Sequence, residues 1–311
     1  MPDAPSQHRA RRAWRIAGAL AGLALLAAAV RAVWMNAAAF DAVRGALADA
    51  PAWRIALLGL LPVVSWMLTS GVFTALTTAR HPVRTRYMAA LVGASWLLNY
   101  LPFSPGLLAR VAYQKRVLEI PVRTSARIVA ESIVLGLAGG CVLLGELAWL
   151  PRTWMLRGGG IGGLSLGVLA GVLLAGALRG RVPVLGAAYG VALLLKYADT
   201  LAWSLRYWTI FALLGVPISA TQAVAIALVA QVSMLVPGLA NGLGVREWTV
   251  GLLAGALPAW MAWGAGASPD VAVALSADLS LRALEVGAAV VVGAACAWRL
   301  ARGRTRFAPR S

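Results

Sequence analysis

The chain has 311 residues, of which 60% are hydrophobic and only 13% charged, and its mean hydropathy is +0.78. A soluble domain of this length would be about one-quarter charged, so one water-soluble core is excluded and a polytopic membrane protein is expected. The formal charge of +17 does not argue for nucleic acid, because the basic residues fall in short clusters between apolar runs, where they act as topology signals and contacts to anionic lipid.

In chain order, apolar segments fall near residues 15–34, 53–79, 87–118, 128–149, 159–178, 184–214, 220–257 and 271–298. They are solid Leu/Ala/Val/Gly runs rather than short alternating ones, which predicts helices and not barrel strands. The first follows Arg9, Arg11, Arg12 and Arg15 and resembles a signal peptide. Its length and its flanking Trp14 and Trp34 favour a retained helix. Segments 87–118 and 220–257 are too long for one span and are broken at "LPFSPG" and "VPGLANGLG". Proline removes a donor and glycine adds freedom, so each break frees polar backbone that must be covered by protein or water.

The charge distribution predicts how the breaks are built. If both broken segments are re-entrant hairpins, six full spans remain and both termini are cytoplasmic. Nineteen basic residues then lie inside against five outside, with Lys196, Arg206, Arg246 and Arg282 left within membrane segments. Reading 87–118 as a full crossing would place the Arg110 to Arg127 cluster outside, against the positive-inside bias. The order span, hairpin, span over 53–149 then recurs over 184–298, and the odd span 159–178 between them inverts the second copy. The predicted fold is therefore one all-α polytopic membrane domain with about six full spans and two re-entrant helical hairpins in an inverted-topology repeat, followed by a basic cytoplasmic tail at 299–311. Paired interrupted segments of this kind point to a transporter's binding site.

At the two breaks the sequence resembles the lysylphosphatidylglycerol synthase transmembrane-region family, also called flippase-like integral membrane proteins. The family's proline followed by a Gly-Gly-Leu-Gly-Val-x-Glu run is matched by Pro237, Asn241, Gly242, Leu243, Gly244, Val245, Arg246 and Glu247, with Asn241 in place of the first glycine. Asn99, Pro102, Gly106 and Arg110 match its upstream signature, whereas Pro105 and Leu107 depart from the usual glycine-rich form. Glu131 fits an acidic position of the family, and Ser132 stands where an arginine often follows. The resemblance covers roughly residues 53–298. It implies a lipid-handling membrane protein with two re-entrant hairpins in an inverted repeat and does not name the lipid; the expected location is the inner membrane.

The helices that restart after the breaks present N-termini whose unpaired N–H groups suit an anion. Arg110 and Arg246 lie in their first turns and add bidentate donors. Asn99, Pro102, Ser104, Gly106 and Arg110, with Pro237, Asn241, Gly242, Gly244, Arg246 and Glu247, thus form a candidate headgroup site for a phospholipid or polyprenyl-linked lipid. The structural alternative is that Arg246 pairs with Glu247 or Glu131 to hold the hairpin shut.

Further polar residues lie in the spans. Lys196 and Asp199 share a helix face three residues apart. Arg206, beside Tyr207 and Trp208, is expected to snorkel toward the outer interface. Arg282 and Glu285 repeat the three-residue spacing, with Asp278 one turn earlier. Glu131, Asp199 and Glu247 are candidate proton carriers if transport is gradient-coupled.

Other features carry less. Cys141 and Cys296 read as small buried hydrophobes. Gly159, Gly163, Gly167 and Gly171 form a packing stripe, and the GxGxxG match at Gly158, Gly160 and Gly163 has no preceding strand, so it is not a nucleotide motif. His8 and His81 lie outside the spans and no HExxH or Cys/His cluster occurs, so no metal or cofactor is expected. An aminoacyl-phosphatidylglycerol synthase is disfavoured, since only residues 299–311 follow the last span and no loop would hold a transfer domain. Such an activity would need a separate catalytic partner. A non-transporting assembly partner is the remaining alternative.

Overall fold

The computed structural model describes residues 44–101, 105–149, 183–216, 218–236, 240–256 and 270–304, with a few isolated positions between 20 and 31. Every element within them is helical: α1 (Ala52–Thr78), α2 (Thr85–Leu98), α3 (Pro105–Val117), α4 (Val122–Trp149), α5 (Pro183–Leu213), α6 (Ala220–Ser233), a short 3-10 turn (Ala240–Gly242), α7 (Val245–Ala256) and α8 (Val271–Arg304). Three stretches, Ala52–Thr78, Val122–Leu147 and Val271–Arg302, are long and apolar enough to cross a membrane, which points to a membrane protein. α5 is of similar length, with 31 residues, and carries Lys196, Asp199 and Arg206 in its middle. The predicted span 159–178 with its glycine stripe, most of 15–34, and the tail beyond Arg304 lie outside the described residues.

Both expected breaks are present. α2 stops at Asn99 and the chain resumes as α3 at Pro105, where the missing N–H is harmless because the first turn has no acceptor for it. α6 begins at a capping box, with Ser219 accepting from the Gln222 backbone N–H and Gln222 accepting in return. It ends at Ser233, and the chain turns through Asn241, Gly242 and Gly244, which have φ of 51°, 71° and 79°. These left-handed conformations end the helix and let α7 start in a new direction.

Helix packing has a twofold regularity. Exchanging α1–α4 with α5–α8 leaves the set of substantially packed helix pairs unchanged: α1 meets α5, α2 meets α8 as α6 meets α4, and each hairpin packs on the helix that follows it. The central pair α1 and α5 is antiparallel, since Arg80 meets Tyr189, Gly71 meets Leu195 and Ser65 meets Arg206. Small residues allow the close approaches. Gly93 lies against Cys296, Gly293 against Leu97 and Gly140 against Leu228, so that any Cβ there would fall within 3 Å of the neighbour. This is how helices associate where lipid removes the hydrophobic drive.

Two apolar clusters hold the bundle. One gathers Leu58, Tyr207, Ile210, Phe211, Ile226, Val250 and Leu281, and the other Val72, Leu76, Met88, Leu91, Ile128, Leu193 and Leu300. Because α1 and α5 run antiparallel through both, their middle turns, from Ser65 to Gly71 and Lys196 to Ala202, lie between the clusters. The polar side chains of those turns are thus enclosed within the bundle. Large apolar residues such as Leu60, Met67, Val134 and Val291 face outward. Cys141 is also on the surface, contrary to its expected burial, while Cys296 is buried. An apolar run hides its inward stripe only, and Cys141 is on the other side of α4.

Candidate functional site

Between the two clusters lies a cavity of about 290 Å³. Its wall takes Ser65, Thr69 and Phe73 from α1, Ser95, Trp96 and Asn99 from the end of α2, Arg110 from α3, and Ser132, Ile133 and Gly136 from α4. The second half contributes Lys196, Asp199, Trp203 and Arg206 from α5, Gln231 and Met234 from the end of α6, Asn241 from the turn, and Glu285 from α8. Both interrupted helix pairs therefore end on one chamber. Of the sequence-derived candidates, Asn99, Arg110, Asn241, Lys196, Asp199, Arg206 and Glu285 line it.

Arg246 is placed differently. It is 1% exposed, and its guanidinium donates to Asp278 Oδ1 at 2.9 and 3.1 Å and to Glu285 Oε2 at 2.9 Å. Tyr207 donates to the same Asp278 oxygen at 2.6 Å, and Trp203 stacks on the guanidinium at 5.0 Å. The neighbouring Glu247, fully buried, stands at ion-pair distance, 3.3 Å, from Arg282, which also donates to the Asn241 carbonyl at 3.1 Å. Neither Arg246 nor Glu247 is part of the cavity wall.

These contacts correct two pairings. Arg246 binds neither Glu247 nor Glu131, because adjacent residues on a helix diverge and Glu131 is engaged elsewhere. Arg282 and Glu285, expected to pair along α8, each meet a partner on α7 instead, Glu247 and Arg246. Asp278, Arg282 and Glu285 share one face of α8, at intervals of four and three residues, and all three reach across to α7. Three carboxylate–guanidinium contacts, two from Arg246 on α7 and one from Arg282 on α8, thus fasten the second hairpin to α8.

The first hairpin lacks that fastening. Arg110 is 7% exposed and lies over the Phe73 ring at 3.8 Å. Among the described residues no carboxylate is within ion-pair distance of it. Aligning the starts of α4 and α8 explains this: Val129, Ile133 and Gly136 fall where α8 has Asp278, Arg282 and Glu285. Ile133 and Gly136 form cavity wall instead of bonding the hairpin.

The turns match in a further respect. Ser95 and Ser233, near the ends of α2 and α6, each donate to the carbonyl four residues back, Leu91 at 2.7 Å and Val229 at 2.8 Å. A glycine of the following segment packs on each serine's carbonyl: a Cβ on Gly106 would collide with Ser95 O, and one on Gly242 would lie 2.8 Å from Ser233 O. Pro102, Ser104 and Pro237 lie outside the described residues.

The remaining candidates separate. Lys196 and Asp199 pair as expected, at 3.6 Å. Arg206 does not snorkel: it is 3% exposed, lies 4.5 Å from the Trp203 ring, and hydrogen-bonds Ser65 and the Leu61 carbonyl across to α1. Its position on the α1-facing side of α5 decides this, and the adjacent aromatics that suggested an interface are themselves divided, Tyr207 buried and Trp208 exposed. Glu131 sits apart from the cavity wall, accepting from Arg80 at 2.8 Å, Arg127 at 2.8 Å and Tyr189 at 2.5 Å. Sequence reasoning missed Gln231 and Trp203 in the wall. Gln231 was visible as a polar residue within the apolar half-helix α6.

No family model matches this chain, and the searches of curated proteins and of solved structures likewise return no match.

Proposed function

We propose that the protein is a lipid flippase or transporter that moves an anionic or lipid-linked headgroup between the leaflets of the inner membrane, and that it is a divergent member of the flippase-like family its breaks resemble. The observation that carries this reading is Arg110, a buried cation with no carboxylate within ion-pair distance among the described residues, facing a chamber on which both hairpins end. An isolated arginine inside a bilayer costs about 3 kcal/mol or more. An anionic headgroup supplies the missing charge while its tails remain in lipid.

In this reading the chain has six full spans, cytoplasmic termini and two re-entrant hairpins. Helix lengths support it: α2, α3, α6 and α7 have 14, 13, 14 and 12 residues, about 18–21 Å each and short of a hydrocarbon layer of roughly 30 Å. The antiparallel α1–α5 pair and the exchangeable packing support an inverted repeat, in which rocking of one half against the other opens the chamber to alternate leaflets.

The test is translocation of fluorescent phospholipids in proteoliposomes. Native protein should accelerate leaflet exchange, and Arg110→Gln should abolish it while the purified protein keeps its elution profile. Exchange that proceeds unchanged in Arg110→Gln would remove this site from the mechanism. Appearance of aminoacylated lipid in cells expressing the chain would favour synthesis instead.

A further inference from the structure

Resting on the reading above, the chamber carries information about what the headgroup contains besides its anion. Asp199 is 4% exposed and lines the wall. Its Oδ2 lies 3.6 Å from Lys196, while its Oδ1 has no hydrogen-bond partner. Gln231 Nε2 and Arg206 Nε, on two other residues that line the wall, also lack partners. Buried polar atoms left unpaired are destabilising, so a built site with several of them specifies the complementary groups of its ligand.

The complement is mixed. Phosphate oxygens are the chemical complement of Arg110, Gln231 Nε2 and Arg206 Nε, which are all donors. They cannot satisfy Asp199 Oδ1, which is an acceptor on a carboxylate and repels an anion. We infer that the chamber selects a headgroup that joins an anionic phosphate to an N–H or O–H donor, the phosphate toward Arg110 and the donor toward Asp199. A trimethylammonium group has no hydrogen to donate and is disfavoured by this wall. Discrimination by an unpaired buried acceptor is large compared with discrimination by shape alone.

Isothermal titration of the detergent-solubilised full chain with dihexanoyl phosphatidylethanolamine, phosphatidylglycerol and phosphatidylcholine tests this. At least one donor-bearing lipid should bind on the order of tenfold tighter than the choline lipid, the worth of one charge-assisted hydrogen bond. Preference for ethanolamine identifies the donor as ammonium, and preference for glycerol as hydroxyl. Asp199→Ala should bring the three affinities together. Because that change strands Lys196, the pair Lys196→Met with Asp199→Leu, which removes both charges, serves as the second variant and should do the same. Equal affinities in the native chain, as a water bound at Asp199 would give, overturn the inference alone, and so does discrimination that survives in both variants. Failure of all three lipids to bind overturns the transport reading with it.

Discussion

The two hairpins are built alike and fastened differently. Each places an arginine shortly after its break, Arg110 on α3 and Arg246 on α7, and each packs a glycine on the carbonyl of a serine near the end of its first half-helix. Arg246 has two carboxylates and a stacked tryptophan, whereas Arg110 has a phenylalanine ring and a cavity. The difference arises outside the hairpins, in the helix that follows each. One buried arginine is a structural tie and the other is left available, and the local sequence around them does not say which is which.

The largest effect should come from Arg246→Ala. It would leave Asp278 and Glu285 as buried carboxylates without their cation, a loss of about 3–5 kcal/mol for a broken buried pair. Little folded protein should survive extraction, and thermal unfolding monitored by size-exclusion chromatography should show a clear drop. Adding Asp278→Asn and Glu285→Gln should restore much of the loss, since neutral partners remove the stranded charges. If the single variant melts like the native chain, the tie does not exist.

Next in size is Gly242→Ala. The residue has φ of 71°, and a Cβ would press on the Ser233 carbonyl at 2.8 Å. Left-handed strain and the contact together should cost about 1–3 kcal/mol, read as a lower melting temperature. Asn241→Gly, at φ 51°, meets the same turn from the permissive side and should change the backbone strain little or relieve it. A destabilisation by Asn241→Gly greater than that by Gly242→Ala would show that side-chain contacts, not φ, govern the turn.

Much of the architecture was legible because breaks and spans are marked by chemistry that lipid makes costly. Pro102 to Pro105 and Pro237 to Gly244 interrupt apolar runs, and the helices end and restart within a few residues of them. Pairing was less legible. Whether Arg206 points to the interface or into the bundle depends on the rotation of α5 against α1, which no residue on α5 alone fixes. Arg282 and Glu285 lie at a spacing that permits a bond along the helix, yet α7 presents a better partner to each. Absence was the hardest to read: Arg110 is distinguished by what Val129, Ile133 and Gly136 lack, and apolar residues in an apolar segment carry no signal until the two halves are superposed in space.

That absence also provides the finest test of the comparison. Gly136→Glu places a carboxylate at the α4 position that corresponds to Glu285 on α8. A Cβ there meets only the Lys196 side chain, Cδ at 3.5 Å and Cε at 3.8 Å, which are ordinary contacts, and position 136 lines the chamber. If the halves differ in function because one arginine is tied and the other is not, the new carboxylate should weaken binding of a short-chain anionic phospholipid, measured by titration, by a few-fold to tenfold. The melting temperature should hold or rise, since a buried cation gains a counter-charge. The effect should be smaller than that of Arg110→Gln, because Lys196 lies beside position 136 and competes for the carboxylate. Gly136→Gln separates charge from bulk: it fills the same space, and if it weakens binding as much as Gly136→Glu does, the chamber is closed by volume and the charge argument for Arg110 falls.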